Sequence, residues 1–190
     1  MSVMPPDSPN ATAERPRSGL TWFALLVALV AVAGSLWLSL GMNLKACPLC
    51  FYQRTFAMAV LGVLVMGLLT EARHSGYVSL LALPLAAGGL AVAGWHVYLE
   101  TTGKLECPKG IADLGTAPQQ SLAALAILFV VLLVDAVRNG RSRRFVGPAL
   151  LTAVLLGVAF GYAGIKSVPP PPRTPKDAPL DGCRPPYRAE

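Results

Sequence analysis

Charge is scarce in this chain and histidine scarcer still: only 14% of its 190 residues are Asp, Glu, Lys or Arg, and there are two histidines. The charges also sit in a few short stretches, leaving long runs with none. A folded water-soluble domain needs a charged surface, so this distribution excludes one of any size. The same scarcity disposes of nucleic-acid binding. The net charge of +6 would have to form a basic face on a soluble surface, and no such surface is available. With His74 and His96 as the only histidines, a closed structural zinc site, which needs four Cys or His ligands, is not expected, and no metal is assigned.

What is abundant is apolar sequence, 54% of the residues. Crossing a hydrocarbon core takes about 20 apolar residues in a helix, because lipid offers backbone polar groups no partner outside the segment. Five stretches meet that requirement: Leu20 to Leu40, Phe51 to Thr70, Val78 to Leu99, Gln119 to Val137 and Phe145 to Ile165. The expected fold is therefore all-α, a transmembrane helical bundle over 19–166. A polar leader, 1–18, precedes it, and a proline-rich tail, 167–190, follows. Ala31-Val32-Ala33 matches a signal-peptide cleavage pattern, but the apolar run continues to Leu40 and reads as a retained span. Pro84 lies within the third span, where a kink is tolerated.

Orientation follows from the basic residues, which favour short cytoplasmic loops. Arg138, Arg141, Arg143 and Arg144 crowd the connection after the fourth span, placing it in the cytoplasm with the Arg73-His74 turn and the N-terminus bearing Arg15 and Arg17. An odd number of spans then puts the tail outside, although its Lys166, Arg173, Lys176, Arg184 and Arg188 run against the rule.

All four cysteines, at 47, 50, 107 and 183, fall in the segments assigned to the outside, where disulfides persist. Cys47-Pro48-Leu49-Cys50 stands at the entrance of the second span. Pro48 suits the first helical turn, so Cys47 falls near the N-cap, where the helix N-terminus stabilises a thiolate and makes it both nucleophile and leaving group. The alternative for such a pair is half of a metal site. Arg54 follows Cys50 by four residues, on the same helix face, where it either snorkels to headgroups or stabilises negative charge on a thiolate or an electron acceptor. Cys107 is alone in the loop between the third and fourth spans. Its candidate partner is Cys183, 18 residues past Ile165; at roughly 3.1 Å per residue the intervening chain reaches about 55 Å, enough to return across a small bundle. The other possibility is a spare thiol in the tail.

The run Cys47-Pro48-Leu49-Cys50-Phe51-Tyr52-Gln53-Arg54, with the single-cysteine loop and Ala117-Pro118-Gln119-Gln120-Ser121-Leu122, resembles the DsbB family, over about Leu20 to Val137. The resemblance implies a four-helix membrane core in the bacterial inner membrane, with its redox cysteines periplasmic. It implies an oxidoreductase that reoxidises a DsbA-like periplasmic dithiol oxidase and delivers the electrons to a quinone, ubiquinone or menaquinone. Cys47 and Cys50 would be the quinone-side pair, with Cys50 beside the ring and Arg54 hydrogen-bonded to it, and Cys107 would belong to the partner-side pair. His96, near the outer end of the third span, either lines the quinone pocket or is a buried histidine bonded to backbone. Two departures from the family pattern stand out. The loop that usually carries two cysteines holds only Cys107, and a fifth span follows the usual four, taking the tail outside where the missing cysteine reappears as Cys183. A non-catalytic membrane protein with structural disulfides or a metal-handling cysteine pair is the alternative.

Overall fold

The computed structural model describes residues 19–69, 75–139, 143–169 and 180–186, with no account of the side chains of 75 and 143–146. The leader at 1–18, the Arg73-His74 turn, Arg141 and the prolines between 170 and 179 lie outside the described residues. Five long helices carry the fold: α1 (Gly19–Leu40), α2 (Pro48–Leu69), α3 (Ser75–Thr101), α4 (Ala117–Asn139) and α5 (Arg143–Lys166). All five are long and apolar enough to cross a membrane. The chain is thus a helical membrane bundle, and each expected span lies within a helix or within a residue of its end.

Local chemistry sets the helix ends that matter to function. Pro48 opens α2 at the position where a missing N–H costs nothing, and the Phe51 N–H bonds the Cys47 carbonyl at 2.9 Å, leaving Cys47 as the cap residue. At the end of α3, Gly103 takes a left-handed φ of 66°. Its N–H bonds the Glu100 carbonyl at 3.0 Å, and the next N–H, of Lys104, bonds that of Leu99 at 2.9 Å. This is a Schellman stop, and it turns the chain back over the bundle end towards Cys107.

Helix α3 is central, packed against α2, α4 and α5, while α1 packs against α2 and α4. Half of the α3 span is buried, against 17–28% for the others. Ala24 and Ala28 of α1, Val60 and Leu64 of α2, Val78, Ala82, Leu83 and Ala86 of α3, Leu128 and Leu132 of α4 and Ala153 of α5 make up the main core. A smaller cluster of Val32, Ala57, Ala93 and Leu125 lies nearer the cysteines and supports the site. The fifth helix joins by close approach. Gly157 and Gly161 of α5, one turn apart, face Ala87, Gly88 and Ala91 of α3, and a side chain at either glycine would collide with the facing alanine. Small residues at i and i+4 are the usual means of bringing membrane helices together, since lipid supplies no hydrophobic drive.

Candidate functional site: four sulfurs, a histidine and an apolar cavity

Residues 180–186 lie against the bundle end that carries the cysteines and are held by the loops before α2 and after α3. Asp181 accepts an ion pair from Lys45 Nζ at 2.7 Å, and its carbonyl accepts the Lys45 N–H at 2.6 Å. Three residues on, Arg184 and Glu106 exchange backbone hydrogen bonds of 2.7 and 3.0 Å as a short antiparallel bridge. Between these contacts lies Cys183, joined to Cys107 in a disulfide. The cysteine missing from the second loop is thus supplied by the tail.

Cys47 and Cys50 are free thiols with their sulfurs 2.9 Å apart. The Cys50 N–H donates to Cys47 Sγ at 3.2 Å, so the sulfur caps the helix that it precedes. Hydrogen bonding from the Cys50 thiol, aided by His96, holds the Cys47 thiol down to about 5 despite its burial. That is the thiolate the N-cap position predicts, although most of the effect comes from the neighbouring thiol.

His96 is fully buried and stands between the two cysteine pairs. Its Nε2 lies 3.5 Å from Cys107 Sγ and 3.8 Å from Cys47 Sγ, and its Nδ1 is 3.0 Å from the Gln53 amide nitrogen. The sulfurs of Cys47, Cys50 and Cys183 and a ring nitrogen of His96 all lie within 4.8 Å of one another. The four sequence candidates at cysteine positions therefore converge, around a histidine that touches both pairs.

Beside the sulfurs is a cavity of about 420 Å³ between α1, α2 and α4, a size suited to a small ligand. Leu26, Val27, Val30, Leu38, Ala57, Leu125 and Ile127 make its walls largely aliphatic, and Cys50, Gln53, Arg54 and Cys183 bring polar and sulfur atoms to it. Arg54 does not snorkel away. Its Nε donates to Ser35 Oγ at 2.9 Å, and one terminal nitrogen donates to the Ser35 carbonyl at 2.8 Å and to Ser39 Oγ at 2.6 Å. Two serines one turn apart on α1 thus pin the guanidinium at the cavity wall. His96 is set back from that wall, behind Gln53, which lines the cavity.

The loop between α3 and α4 closes the top of the cavity with Pro108 and Ile111. Gln120 fixes it there: its side chain accepts from the Ile111 N–H at 3.0 Å and donates to the carbonyls of Ile111 and Leu114 at 2.8 and 3.1 Å. Gly110 makes room, since a Cβ there would meet the Gln120 side chain. Gln120 of the sequence motif is thereby explained as a loop clamp.

Sequence reasoning missed Ser35, Ser39, Gln53 and the Lys45–Asp181 pair. The serines did leave a signal, as two polar residues at i and i+4 in an otherwise apolar span. The tail pairing left none, because it joins residues more than a hundred positions apart.

Fold and site together define a multi-pass membrane protein built for thiol–disulfide chemistry. The family model described as "Disulfide bond formation protein DsbB" matches residues 17–122, and the chain belongs to that family. It is 38% identical over 93 residues to a disulfide bond formation protein B of Herminiimonas arsenicoxydans, covering 48% of this chain and 57% of that one. It is 25% identical over 131 residues to a protein of Chlamydia caviae named "Probable disulfide formation protein", covering 63% and 93% respectively. No solved structure matches. The family match ends before most of α4, so α5 and the tail that delivers Cys183 lie outside it.

Proposed function

We propose that this protein reoxidises a DsbA-like periplasmic dithiol oxidase and passes the electrons to a quinone in the bacterial inner membrane, with the cysteine end periplasmic, the N-terminus cytoplasmic and the tail external. The observation that carries this reading is the convergence of both cysteine pairs on His96, next to an aliphatic cavity that Arg54 and Cys50 line.

The chemistry is two disulfide exchanges. A thiolate of the partner attacks Cys107, forming a mixed disulfide and expelling Cys183 as thiolate; the partner's second thiol then displaces Cys107 and leaves with the disulfide. Cys183, nearer to the helix-entry pair, attacks Cys47 of an oxidised Cys47–Cys50 bond and expels Cys50. Cys107 next attacks Cys183, restoring their bond and releasing Cys47. The outcome is one disulfide at 107–183 and a dithiol at 47–50, the pattern of bonds described above. His96 Nε2 reaches a sulfur of each pair and is placed to move the proton that each exchange requires.

A quinone, when bound, supplies the two-electron acceptor that returns Cys47–Cys50 to the disulfide. The residues fit such a group: an aliphatic slot for a ring and chain, a guanidinium held at its wall to donate to a carbonyl oxygen, and Cys50 at its edge. Arg54 would there stabilise the negative charge that a bound acceptor gains from the Cys50 sulfur.

The test is quinone reduction by the detergent-purified protein with a reduced periplasmic dithiol protein as donor. Turnover that is lost in Cys50→Ser and impaired in Arg54→Ala supports the relay. Intact bonds without any quinone reduction would reject it in favour of structural cysteines.

A further inference from the structure

We infer that the fully reduced protein carries a binding site for one thiophilic metal cation of the Zn²⁺ class, formed by Cys47, Cys50, Cys183 and His96, and that the Cys107–Cys183 disulfide gates it. The donor set carries the argument. Three sulfurs and one imidazole nitrogen lie within 4.8 Å of one another. Zn–S bonds of about 2.3 Å and a Zn–N bond of about 2.0 Å in a tetrahedron place neighbouring donor atoms about 3.5–3.8 Å apart. The Cys47–His96 distance is already 3.8 Å, and the 2.9 Å between Cys47 and Cys50 must open by less than an ångström.

The surroundings are those of a ligating histidine. His96 is fully buried with Nε2 aimed at sulfur, while Nδ1 sits 3.0 Å from the Gln53 side-chain amide. Reversing the amide lets its oxygen accept from Nδ1–H and frees Nε2 as the donor to metal, the outer-shell arrangement that orients imidazole ligands. Cys47 and Cys50 stand at the first turn of α2, where the Cys50 N–H already bonds the Cys47 sulfur and the helix N-terminus favours the net negative charge of a three-thiolate site. Such donors select soft or borderline cations and reject Mg²⁺ and Ca²⁺.

The gate is covalent. While Cys183 is bonded to Cys107, its sulfur cannot serve as a thiolate, and only three donors remain. An incoming dithiol opens that bond: it leaves as a disulfide, and Cys107 and Cys183 become thiols. The Lys45–Asp181 and Glu106–Arg184 contacts do not run through the disulfide and so remain available to hold the tail once it opens. All three sulfurs bind as thiolates, so binding releases whatever protons they still carry. A cation held there withholds Cys47, Cys50 and Cys183 from exchange, so the reduced protein is stopped whenever metal arrives before an electron acceptor. Cys107 lies outside the donor set and stays free.

The experiment uses the full chain in detergent, without oxygen. Protein reduced with a phosphine, which adds no competing thiol, and protein with both disulfides formed are each equilibrated with Zn²⁺, desalted and assayed for zinc per chain and for alkylation at each cysteine. We expect one zinc on the reduced chain and none on the oxidised one. With zinc bound, Cys107 is alkylated while the other three are protected until a chelator is added. Cys183→Ser, on the tail and away from the core, should weaken binding more than tenfold, and Gln53→Met should weaken it about 10–100-fold. Equal zinc on both redox forms, equal alkylation of all four cysteines with zinc present, or wild-type affinity in Cys183→Ser would each overturn the site. Zinc content is read without turnover, so a failure of quinone reduction leaves this result standing.

Discussion

The two ends of the bundle are joined by different kinds of bond. At one end Asp135 of α4 is fully buried and accepts from Ser79 Oγ of α3 at 2.5 Å, Thr21 Oγ1 of α1 at 3.3 Å and Asn139 Nδ2 at 2.8 Å. That network ties three helices with groups that have no exchange chemistry. At the other end the joints include a disulfide, a dithiol, an exposed ion pair and a two-residue bridge, beside the Arg54 and Gln53 hydrogen bonds between helices. A carboxylate inside a membrane span ordinarily marks function, but here it is surrounded by donors and far along the helices from the sulfurs. The fold is fastened at the Asp135 end, which leaves the cysteine end able to break and remake its links without loss of the bundle.

That division makes predictions, the largest at the sulfurs. Cys50→Ser should abolish quinone reduction while leaving the melting temperature within error, because no helix contact depends on a Cys47–Cys50 bond. A large fall in melting temperature would show that the cysteine end also bears the fold.

Arg54→Ala comes next. A single charge-assisted hydrogen bond from the guanidinium to a bound quinone oxygen is worth about 1.5–3 kcal/mol, so the quinone KM should rise about 10–100-fold. Ser35→Ala with Ser39→Ala keeps the charge but loosens its position, and should raise KM by a smaller factor at nearly unchanged kcat. If the serine pair has no effect, the guanidinium is placed by the cavity rather than by α1.

At the fastened end, Asp135→Ala removes the acceptor of three hydrogen bonds. Two of these bonds are interhelical, and such bonds in membranes average about 0.6 kcal/mol, so the expected destabilisation, lost packing included, is about 1–2 kcal/mol, read as a lower thermal midpoint in detergent. Turnover per folded molecule should not change. A loss of turnover with the fold intact would make Asp135 part of the relay and erase the distinction between the two ends.

The pH profile sharpens the chemistry of the cysteine end. In metal-free protein with Cys47 and Cys50 reduced, Cys47 should alkylate at a constant rate above about 5 and roughly tenfold more slowly per unit below it, as its thiolate protonates. The midpoint should move up in Cys50→Ala, which removes the larger stabilising hydrogen bond, and less far in His96→Gln. The reverse order would make the histidine the main source of the thiolate.

The fold was legible because the membrane demands long apolar helices, and five such runs read as five helices. The Cys-x-x-Cys and Arg54 were legible from residue type and helical spacing. The Cys107–Cys183 pairing was left open by the sequence, since chain length permits it without requiring it. The anchoring of Arg54 by Ser35 and Ser39, the seating of His96 between the pairs and the tail pairing all depend on which helix lies beside which. No local pattern encodes that. Pro84 shows the limit from the other side: its expected place in a helix holds, but its carbonyl lies where a Cβ on Gly157 would crowd it, a contact visible only once α5 is placed.

The smallest effect belongs to the ion pair between the first loop and the tail. The hydrogen bond to Asp181 raises the Lys45 ammonium above its ordinary range, and the bond to Lys45 lowers the Asp181 carboxyl. Both groups stand in solvent, where salt screens them and such pairs contribute little. Lys45→Met should therefore leave the Cys107–Cys183 bond formed and the melting temperature unchanged, because the Lys45 N–H to Asp181 carbonyl bond and the Glu106–Arg184 bridge survive the substitution. A difference should emerge only after reduction, when the tail is no longer covalently held. Re-formation of the disulfide should then be slower in Lys45→Met at low salt and equal to wild type at high salt. A salt-independent defect would mean that the side chain positions the tail by packing rather than by charge, and no defect at either salt would leave the backbone contacts as the whole of the tail's attachment.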